Sequence, residues 1–389
     1  MSARTGVEDA DAHTLVAAGL GVLVGQLGTL EERQVLRRPS GRVIVTWRTV
    51  LAGERREVVA VVGEGGPERG VLLLELPDGR PAAVFEPDDD PRLPGLHVAT
   101  DVLGLTQLVG TLVLDTRRRR YRPLGRAVVE ATTADGPLWV KVLRPSDVAA
   151  VASLHEAVAA RVPGPPVVAV DEDRGLLVLG HLPGRDLRDL VRHDAGLLPP
   201  AADLLALSDD LAGVDLVAAE RDEPSPRTAP LAAVDGHVRR LAGIVPDLAE
   251  EVEELAATIT RLGAAVPPGP TVAIHGDLHA AQVHADQGRI SGLLDLDDVG
   301  TGTQADDLGR FVGHLTCTVD DERGAAARPW AQGLNAAVLA RVPGPALAPR
   351  VAAVVLGLAT GPHRVNRPDW PRRTARRIEL ARGWVAPLA

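Results

Sequence analysis

The stretch His275-Gly-Asp-Leu-His-Ala-Ala-Gln282, followed by Leu293-Leu-Asp-Leu-Asp-Asp-Val-Gly300, is the densest polar cluster of the chain. A short apolar run, Thr271 to Ile274, leads into it, and a hairpin turning at Asp286-Gln-Gly288 separates its halves. Asp277 is followed five residues later by the amide of Gln282 and eighteen residues later by a second acid, Asp295, each beside a short strand. That spacing suits phosphoryl transfer. The reaction asks for little covalent help: a carboxylate to orient the attacking hydroxyl and receive its proton, oxygen ligands for Mg²⁺ and a cation to fix the nucleotide. Asp277, Gln282 with Asp295, and Lys141 fill those roles in that order.

Lys141 is singled out by composition. Of the 42 basic residues 41 are arginine, and Lys141 is the only lysine. A guanidinium is a wide planar fork, whereas an ammonium is a compact point charge on a slim stem, so a narrow site resists the exchange. The segment Trp139-Val-Lys-Val-Leu143 alternates as a strand does.

The wider chain sets the limits. With 389 residues, and about 150 per domain as a guide, two to three compact units are expected. Net charge is -10 and aromatics are 2%, which disfavours a basic, base-stacking nucleic-acid surface. A single cysteine, Cys317, excludes an intrachain disulfide, and no window of 18 uninterrupted apolar residues or basic leader is present. The expectation is a cytoplasmic protein with no membrane partner and no nucleic-acid partner.

Outward from the cluster, a helix over about Val16 to Leu30 precedes short strands at Arg42 to Leu51, Glu57 to Gly63, Gly70 to Leu76 and Ala82 to Phe85, with Pro77-Asp-Gly-Arg80 as a hairpin turn. The stretch Glu86 to Gly95 reads as an exposed boundary loop whose three acids are solvated. Strands Arg126 to Thr132 and Leu138 to Leu143 follow, joined at Ala134-Asp-Gly136, and then a helix from Asp147 to Arg161 with Ser146 as its N-cap. A strand, Gly175 to Leu179, runs into Gly180-His-Leu-Pro-Gly184. Beyond it the chain is mainly helical; Leu248, Val252, Leu255, Ile259 and Leu262 mark one helix face, opposite Glu250, Glu251, Glu253 and Glu254.

His-Gly-Asp-Leu-His-x-x-Gln, the Asp of Leu-Leu-Asp-Leu-Asp and the later Asp307-Leu-Gly together resemble the aminoglycoside phosphotransferase and maltokinase-like branch of the protein-kinase-like superfamily, over roughly Val113 to Leu315. The resemblance implies an α+β, bilobal protein-kinase-like fold: an N-terminal cap over 1–105, an antiparallel N-lobe with hinge over 106–182 and a helical C-lobe over 183–389. It implies Asp277 as catalytic base, Gln282 and Asp295 as magnesium ligands, and Lys141 on the alpha and beta phosphates of ATP. By the same resemblance Glu156 orients Lys141, the backbone at Gly180 to Leu182 receives adenine, and Asp307 braces the catalytic loop. Of the two histidines, one orders the loop by hydrogen bonding, the role given to His275, and His279 packs it. The implied partner is a small acceptor, a sugar, amino sugar or aminoglycoside, expected against the helical C-lobe, where the acid excess favours a cationic amine.

Departures and competitors bear on this reading. Gln282 stands where most members carry Asn, and no Gly-rich loop precedes Lys141; Arg117, Arg118, Arg119, Arg120, Arg122 and Arg126 occupy that region instead, as phosphate contacts or as a solvated turn. Asp295-Leu-Asp297 imitates a haloacid-dehalogenase phosphatase and Gly276-Asp-Leu-His279 a metallophosphoesterase, but the accompanying motifs of both are missing. A kinase fold that binds nucleotide without turnover is the non-enzyme alternative.

Overall fold

The computed structural model describes residues 31–37, 42–51, 54–63, 72–75, 81–217, 223–227, 229–267 and 269–388. The helix expected over Val16 to Leu30 and the turn at Pro77 to Arg80 lie outside them. The chain divides into a first unit, up to Ala152 with Val167–His181, and a second, Ser153–Pro166 with Leu182–Ala389.

The first unit holds two antiparallel sheets. One is formed by β1 (Glu31–Arg37), β2 (Val43–Leu51), β3 (Glu54–Val62), β4 (Leu72–Glu75) and β5 (Pro81–Phe85) in the order β1-β2-β3-β5-β4. Valine and isoleucine dominate the central strands, where branched side chains pack well on a pleated surface. Ile44, Val59, Val61 and Phe85 bury together with Leu124 from the other sheet. Between the sheets in sequence stand helices α1 (Leu96–Thr100) and α2 (Val102–Val109), the latter capped by Asp101, whose carboxylate accepts the N–H of Gly104 at 2.7 Å.

The second sheet comprises β6 (Val113–Arg122), β7 (Arg126–Thr133), β8 (Gly136–Val142), β9 (Val167–Asp171) and β10 (Leu176–Leu179), ordered β6-β7-β8-β10-β9. Alternation along the strands gives the sheet two faces. Val129, Val140, Val142 and Val178 bury one face against Leu96 and Leu105. The other carries Trp139, Leu177 and Leu179 against Val151 and Ala152 of helix α3 (Pro145–Ala159).

Three expectations change here. The arginine-rich run is a strand, β6, rather than a turn: Arg118 pairs with Glu57 and Arg119 with Glu130, so ion pairs across strands hold it extended. The acids of Glu86 to Gly95 are not all solvated. Asp90 is buried, and its carboxylate accepts the Tyr121 hydroxyl and the Leu124 N–H, both at 2.8 Å, and the Arg92 N–H at 2.9 Å. This buried carboxylate ties the segment to the β6–β7 hairpin; burial pushes it up from the usual carboxylate range, against the pull of those donors. Helix α3 starts at Pro145, which places Ser146 inside the first turn instead of at its cap; proline suits a first helical position.

The second unit is mainly helical: α4 (Leu187–His193), α5 (Ala201–Ala212), α6 (Val234–Ile244), α7 (Ala249–Ala264), α8 (Gln304–Asp320), α9 (Arg328–Arg341), α10 (Gly344–Leu358), α11 (Gly361–Arg364) and α12 (Trp370–Val385). Helix α7 buries Val252, Leu255 and Ile259 and exposes Glu250, Glu253 and Glu254, as its periodicity predicts. Residues 344–364 are apolar enough to cross a membrane by length and composition, yet α10 is the central core helix, with Leu347 and Val351 to Leu356 buried or nearly so. The basic C-terminal segment is consumed by internal pairing. On α12, Arg373 joins Asp369 and Asp321, Arg376 joins Asp320, and Arg382 joins Glu251 of α7. Asp320 ends α8, where the helix dipole disfavours an acid, so the arginine beside it offsets that cost.

Five small strands complete the unit. Strand β12 (Val272–Ile274) pairs with β15 (Gly300–Gly302), and β11 (Arg185–Asp186), β13 (Val283–Asp286) and β14 (Arg289–Leu293) form a second sheet. The β13–β14 turn falls at Gln287 and Gly288, both with positive φ, the mirror-image geometry that two-residue hairpins favour.

Candidate active site

The polar cluster is displayed on the loops that these strands leave. Strand β12 ends at Ile274, and the next three residues form a loop held from beneath by α8. Thr303 caps that helix, accepting the Asp306 N–H at 3.3 Å and donating its hydroxyl to Asp306 at 2.8 Å. The adjacent Asp307 is thereby aimed back at the loop. Its buried carboxylate accepts the N–H of His275 at 2.6 Å and of Gly276 at 2.9 Å. Burial pushes this carboxyl up, opposed by the neighbouring His275 and by the two donors.

His275 bonds from the other side. Its Nε2 lies 2.8 Å from the Leu294 carbonyl oxygen, and its Nδ1 accepts the Asp277 N–H at 3.3 Å, which puts the ring proton on Nε2. The ring therefore links the Asp277 loop to the turn that carries Asp295. His279 stacks on His314 of α8 with ring centroids 4.7 Å apart, its Nδ1 accepts the Ala281 N–H at 3.2 Å, and its Nε2 lies 3.9 Å from Asp277 Oδ2. Burial, then mutual repulsion, depresses His314 to about 3, and burial also lowers His279. Both nitrogens of His275 are thus engaged within the protein, and among the described residues no group of three His, Cys, Asp or Glu side chains is arranged to hold a metal.

Gln282 and Asp295 are brought side by side. The Leu294 N–H bonds to the Gln282 carbonyl at 2.8 Å, and Gln282 Nε2 lies 3.4 Å from Asp295 Oδ2. Asp295 adopts a left-handed backbone (φ 55, ψ 54), which a non-glycine residue tolerates only when its surroundings impose it. An amide oxygen, reached by turning the Gln282 side-chain amide over, and a carboxylate are the hard donors that Mg²⁺ takes, so the residues fit that ion.

Lys141 lies in the first unit, at the middle of its sheet, between Val128 of β7 and Leu177 of β10. Alternation places it on the Trp139 and Leu177 face. Glu156 stands exposed on α3, whereas the buried neighbour on that helix is His155, with Nε2 3.7 Å from Asp297. The chain passes from the first unit to the second between His181 and Leu182, as it also does after Ala152; Gly180 and Leu182 are buried.

Sequence reasoning missed one cation. Arg227 donates from Nη2 to Asp277 Oδ2 at 2.9 Å and from Nε to Asp298 Oδ2 at 2.6 Å. Nothing in Glu223-Pro-Ser-Pro-Arg227 is periodic; the only trace of its position is the pair of glycines that make room for it. A Cβ on Gly276 would lie 2.0 Å from Ser225 Oγ, and one on Gly300 would lie 2.7 Å from Ser225 Cα.

Residues 123–345 match the model of the phosphotransferase enzyme family APH, more than half of the chain. The chain belongs to this family. A phosphotransferase of this family is a small-molecule kinase, and the antiparallel and helical units are its kinase-like α+β fold, which leaves no Rossmann-like core for a dehalogenase-type phosphatase. A solved structure agrees on the fold. A thermostable variant of aminoglycoside phosphotransferase APH(4)-Ia, bound to ADP and hygromycin B, is 16% identical, with 73% of this chain and 98% of that chain covered and a TM-score of 0.51. A choline/ethanolamine kinase family protein from Mesorhizobium loti is 18% identical over 69% and 88% (TM-score 0.47), and a macrolide 2'-phosphotransferase from Brachybacterium faecium is 19% identical over 71% and 97% (TM-score 0.42). No curated protein sequence matches the chain. The family match begins at Pro123, so the sheet β1 to β5 lies outside it.

Proposed function

We propose that this phosphotransferase moves the gamma-phosphoryl group of ATP, with Mg²⁺, to a hydroxyl of a small polar acceptor: a sugar, amino sugar or aminoglycoside. The observation that carries the reading is the Asp277 loop, held by Asp307 from behind and by His275 from the side, next to the oxygen pair of Gln282 and Asp295. A carboxylate fixed in this way is preorganised to orient a nucleophile, and positioning is where most of the rate enhancement of phosphoryl transfer resides.

In this mechanism Asp277 accepts the proton of the acceptor hydroxyl as its oxygen forms a bond to the gamma phosphorus. The bond from that phosphorus to the bridging oxygen breaks, and ADP leaves with the electron pair. Gln282 and Asp295 would hold Mg²⁺, which when bound would supply charge neutralisation on the phosphates. Lys141 supplies a point charge to the alpha and beta phosphates, Glu156 orients Lys141, and the backbone from Gly180 to Leu182 receives the adenine.

The test is a coupled ADP assay with MgATP and a panel of sugars, amino sugars and aminoglycosides. Asp277→Asn is expected to abolish acceptor-dependent ADP release while ATP still binds, and undiminished turnover removes the assignment. Lys141→Ala is expected to lower turnover; no change means that the lone lysine is incidental. ATP binding by the unaltered chain without turnover of any acceptor favours the nucleotide-binding alternative.

A further inference from the structure

His279 is fixed on every side but one. Leu278 and Ala280 beside it are buried, the Gln282 N–H bonds to the His279 carbonyl at 2.8 Å, and the Arg188 N–H at the start of α4 bonds to the Ala280 carbonyl at 3.0 Å, so the backbone that carries the ring is tied down. The ring itself is held by the Ala281 N–H, 3.2 Å from Nδ1, and by the His314 ring stacked on its face. Burial lowers its affinity for a second proton, and a neutral imidazole that accepts at Nδ1 carries its proton at Nε2. That N–H makes no hydrogen bond to the described residues: it stands 3.9 Å from Asp277 Oδ2, beyond hydrogen-bond reach. Both side chains open to solvent, 19% of His279 and 17% of Asp277. A rigid donor and the base carboxylate therefore share one mouth, separated by a gap that a ligand can span.

We propose that His279 is an acceptor-binding residue whose Nε2–H donates to a second hydroxyl of the acceptor, on the carbon next to the one being phosphorylated, so that the site selects vicinal diols. The inference rests on the phosphotransferase reading of the same site and narrows its acceptor class. The reacting hydroxyl donates to the Asp277 carboxylate at about 2.7 Å, and the neighbouring oxygen accepts from Nε2 at about 2.9 Å. The gauche arrangement of a staggered carbon–carbon bond puts two vicinal oxygens about 3 Å apart, and these three spans close over the 3.9 Å between Nε2 and Oδ2. A lone hydroxyl reaches both groups only by accepting the Nε2–H on the oxygen that attacks phosphorus, which draws electron density from the nucleophile. The vicinal arrangement leaves that oxygen to Asp277 and phosphorus. Because Nδ1 is spent within the loop, the ring offers only a donor, and a hydroxyl oxygen supplies the matching lone pair. The ring hydroxyls of a sugar come in such pairs.

The experiment uses the full chain in the coupled ADP assay, with saturating MgATP and D-glucose, D-glucosamine and kanamycin as probes. Product NMR locates the phosphate on the best of the three, and that acceptor is then compared with its analogue lacking the hydroxyl on the neighbouring carbon. The deoxy analogue is expected to lose about tenfold or more in kcat/KM, the worth of one hydrogen bond to a fixed donor. In His279→Phe, which keeps the stack on His314 but has no donor, the two acceptors should come within about twofold of each other. His279→Gln restores an N–H, and the gap between the acceptors should reopen. Phosphate on a hydroxyl with no vicinal hydroxyl, such as O6 of ring-form glucose, overturns the inference. So does an undiminished penalty in His279→Phe, the outcome for a ring that only packs the loop. If His279→Phe is insoluble, His279→Met repeats the donor deletion, and loss of all turnover in every donor-free variant also overturns the inference. Each of these results leaves the kinase reading intact. No ADP release from any probe by the unaltered enzyme sinks the kinase reading and this inference together.

Discussion

Asp307→Asn tests whether the catalytic loop is held from behind. The substitution is isosteric and removes only the second acceptor oxygen. In the native chain one oxygen takes the His275 N–H at 2.6 Å and the other the Gly276 N–H at 2.9 Å, both in a fully dry setting. Asparagine keeps one of these bonds and turns an NH₂ toward the other N–H. Losing a charge-assisted bond costs about 1.5–3 kcal/mol and the orphaned donor adds about 1 kcal/mol, so a loss of about 2–4 kcal/mol is expected in urea unfolding at neutral pH. Because Asp277 follows directly on that backbone, kcat should drop about 100-fold with little change in ATP affinity, the cost of a displacement of about an ångström. Stability within about 0.5 kcal/mol of the parent together with unaltered kcat would refute the bracing role.

Three other expectations follow from the same coordinates. Gly276→Ala places a Cβ 2.0 Å from Ser225 Oγ and 2.7 Å from the Asp298 carbonyl at φ +78, so it should cost about 3 kcal/mol or more in urea unfolding, with partial recovery in combination with Ser225→Gly; a change below about 0.5 kcal/mol contradicts the close approach. His314, held at about 3 by burial and by His279, stays neutral where an unfolded histidine takes up a proton, near 6.5. Between those values the unfolded chain binds the extra proton, so stability falls as pH falls, by about 1.4 kcal/mol per unit or about 2 kcal/mol from pH 6.5 to 5. His314→Phe keeps the stack on His279 and should flatten that slope, and equal slopes for both proteins count against it. Asp90→Asn leaves the Leu124 N–H facing an amide nitrogen and should destabilise the first unit by about 1–3 kcal/mol, seen as a lower urea midpoint; an unchanged midpoint denies Asp90 its tie to the β6–β7 hairpin.

Much of the fold was legible because it rests on local pattern. The period of Val252, Leu255 and Ile259 defined α7, the Asp286-Gln-Gly288 signal defined the β13–β14 hairpin, and alternation around Lys141 defined β8. Strand β6 was not legible: five arginines among its ten residues mask the alternation, and neither its ladder with β7 nor the pairing of Arg118 with Glu57 and Arg119 with Glu130 is marked by a local pattern. Asp90 misled for the same reason. Its neighbours Asp88 and Asp89 are exposed, and what makes burial of the third acid tolerable is chiefly the Leu124 N–H and the Tyr121 hydroxyl, thirty-four and thirty-one residues away, with the Arg92 N–H beside them.

For the site, sequence by itself determined the chemistry on offer: an acid, an amide and a second acid at Asp277, Gln282 and Asp295, and one lysine kept among arginines. Spacing along a chain can reveal such a set because its members sit on consecutive short strands and turns. The tertiary structure alone decided how each group is constrained: Asp307 under two backbone donors, His275 between two turns, His279 stacked on His314, and Arg227 on Asp277. Those constraints are hydrogen bonds and contacts between segments tens of residues apart, and their energies depend on burial, which no local pattern encodes. Arg227 is the clearest instance, fifty residues from the carboxylate that it holds.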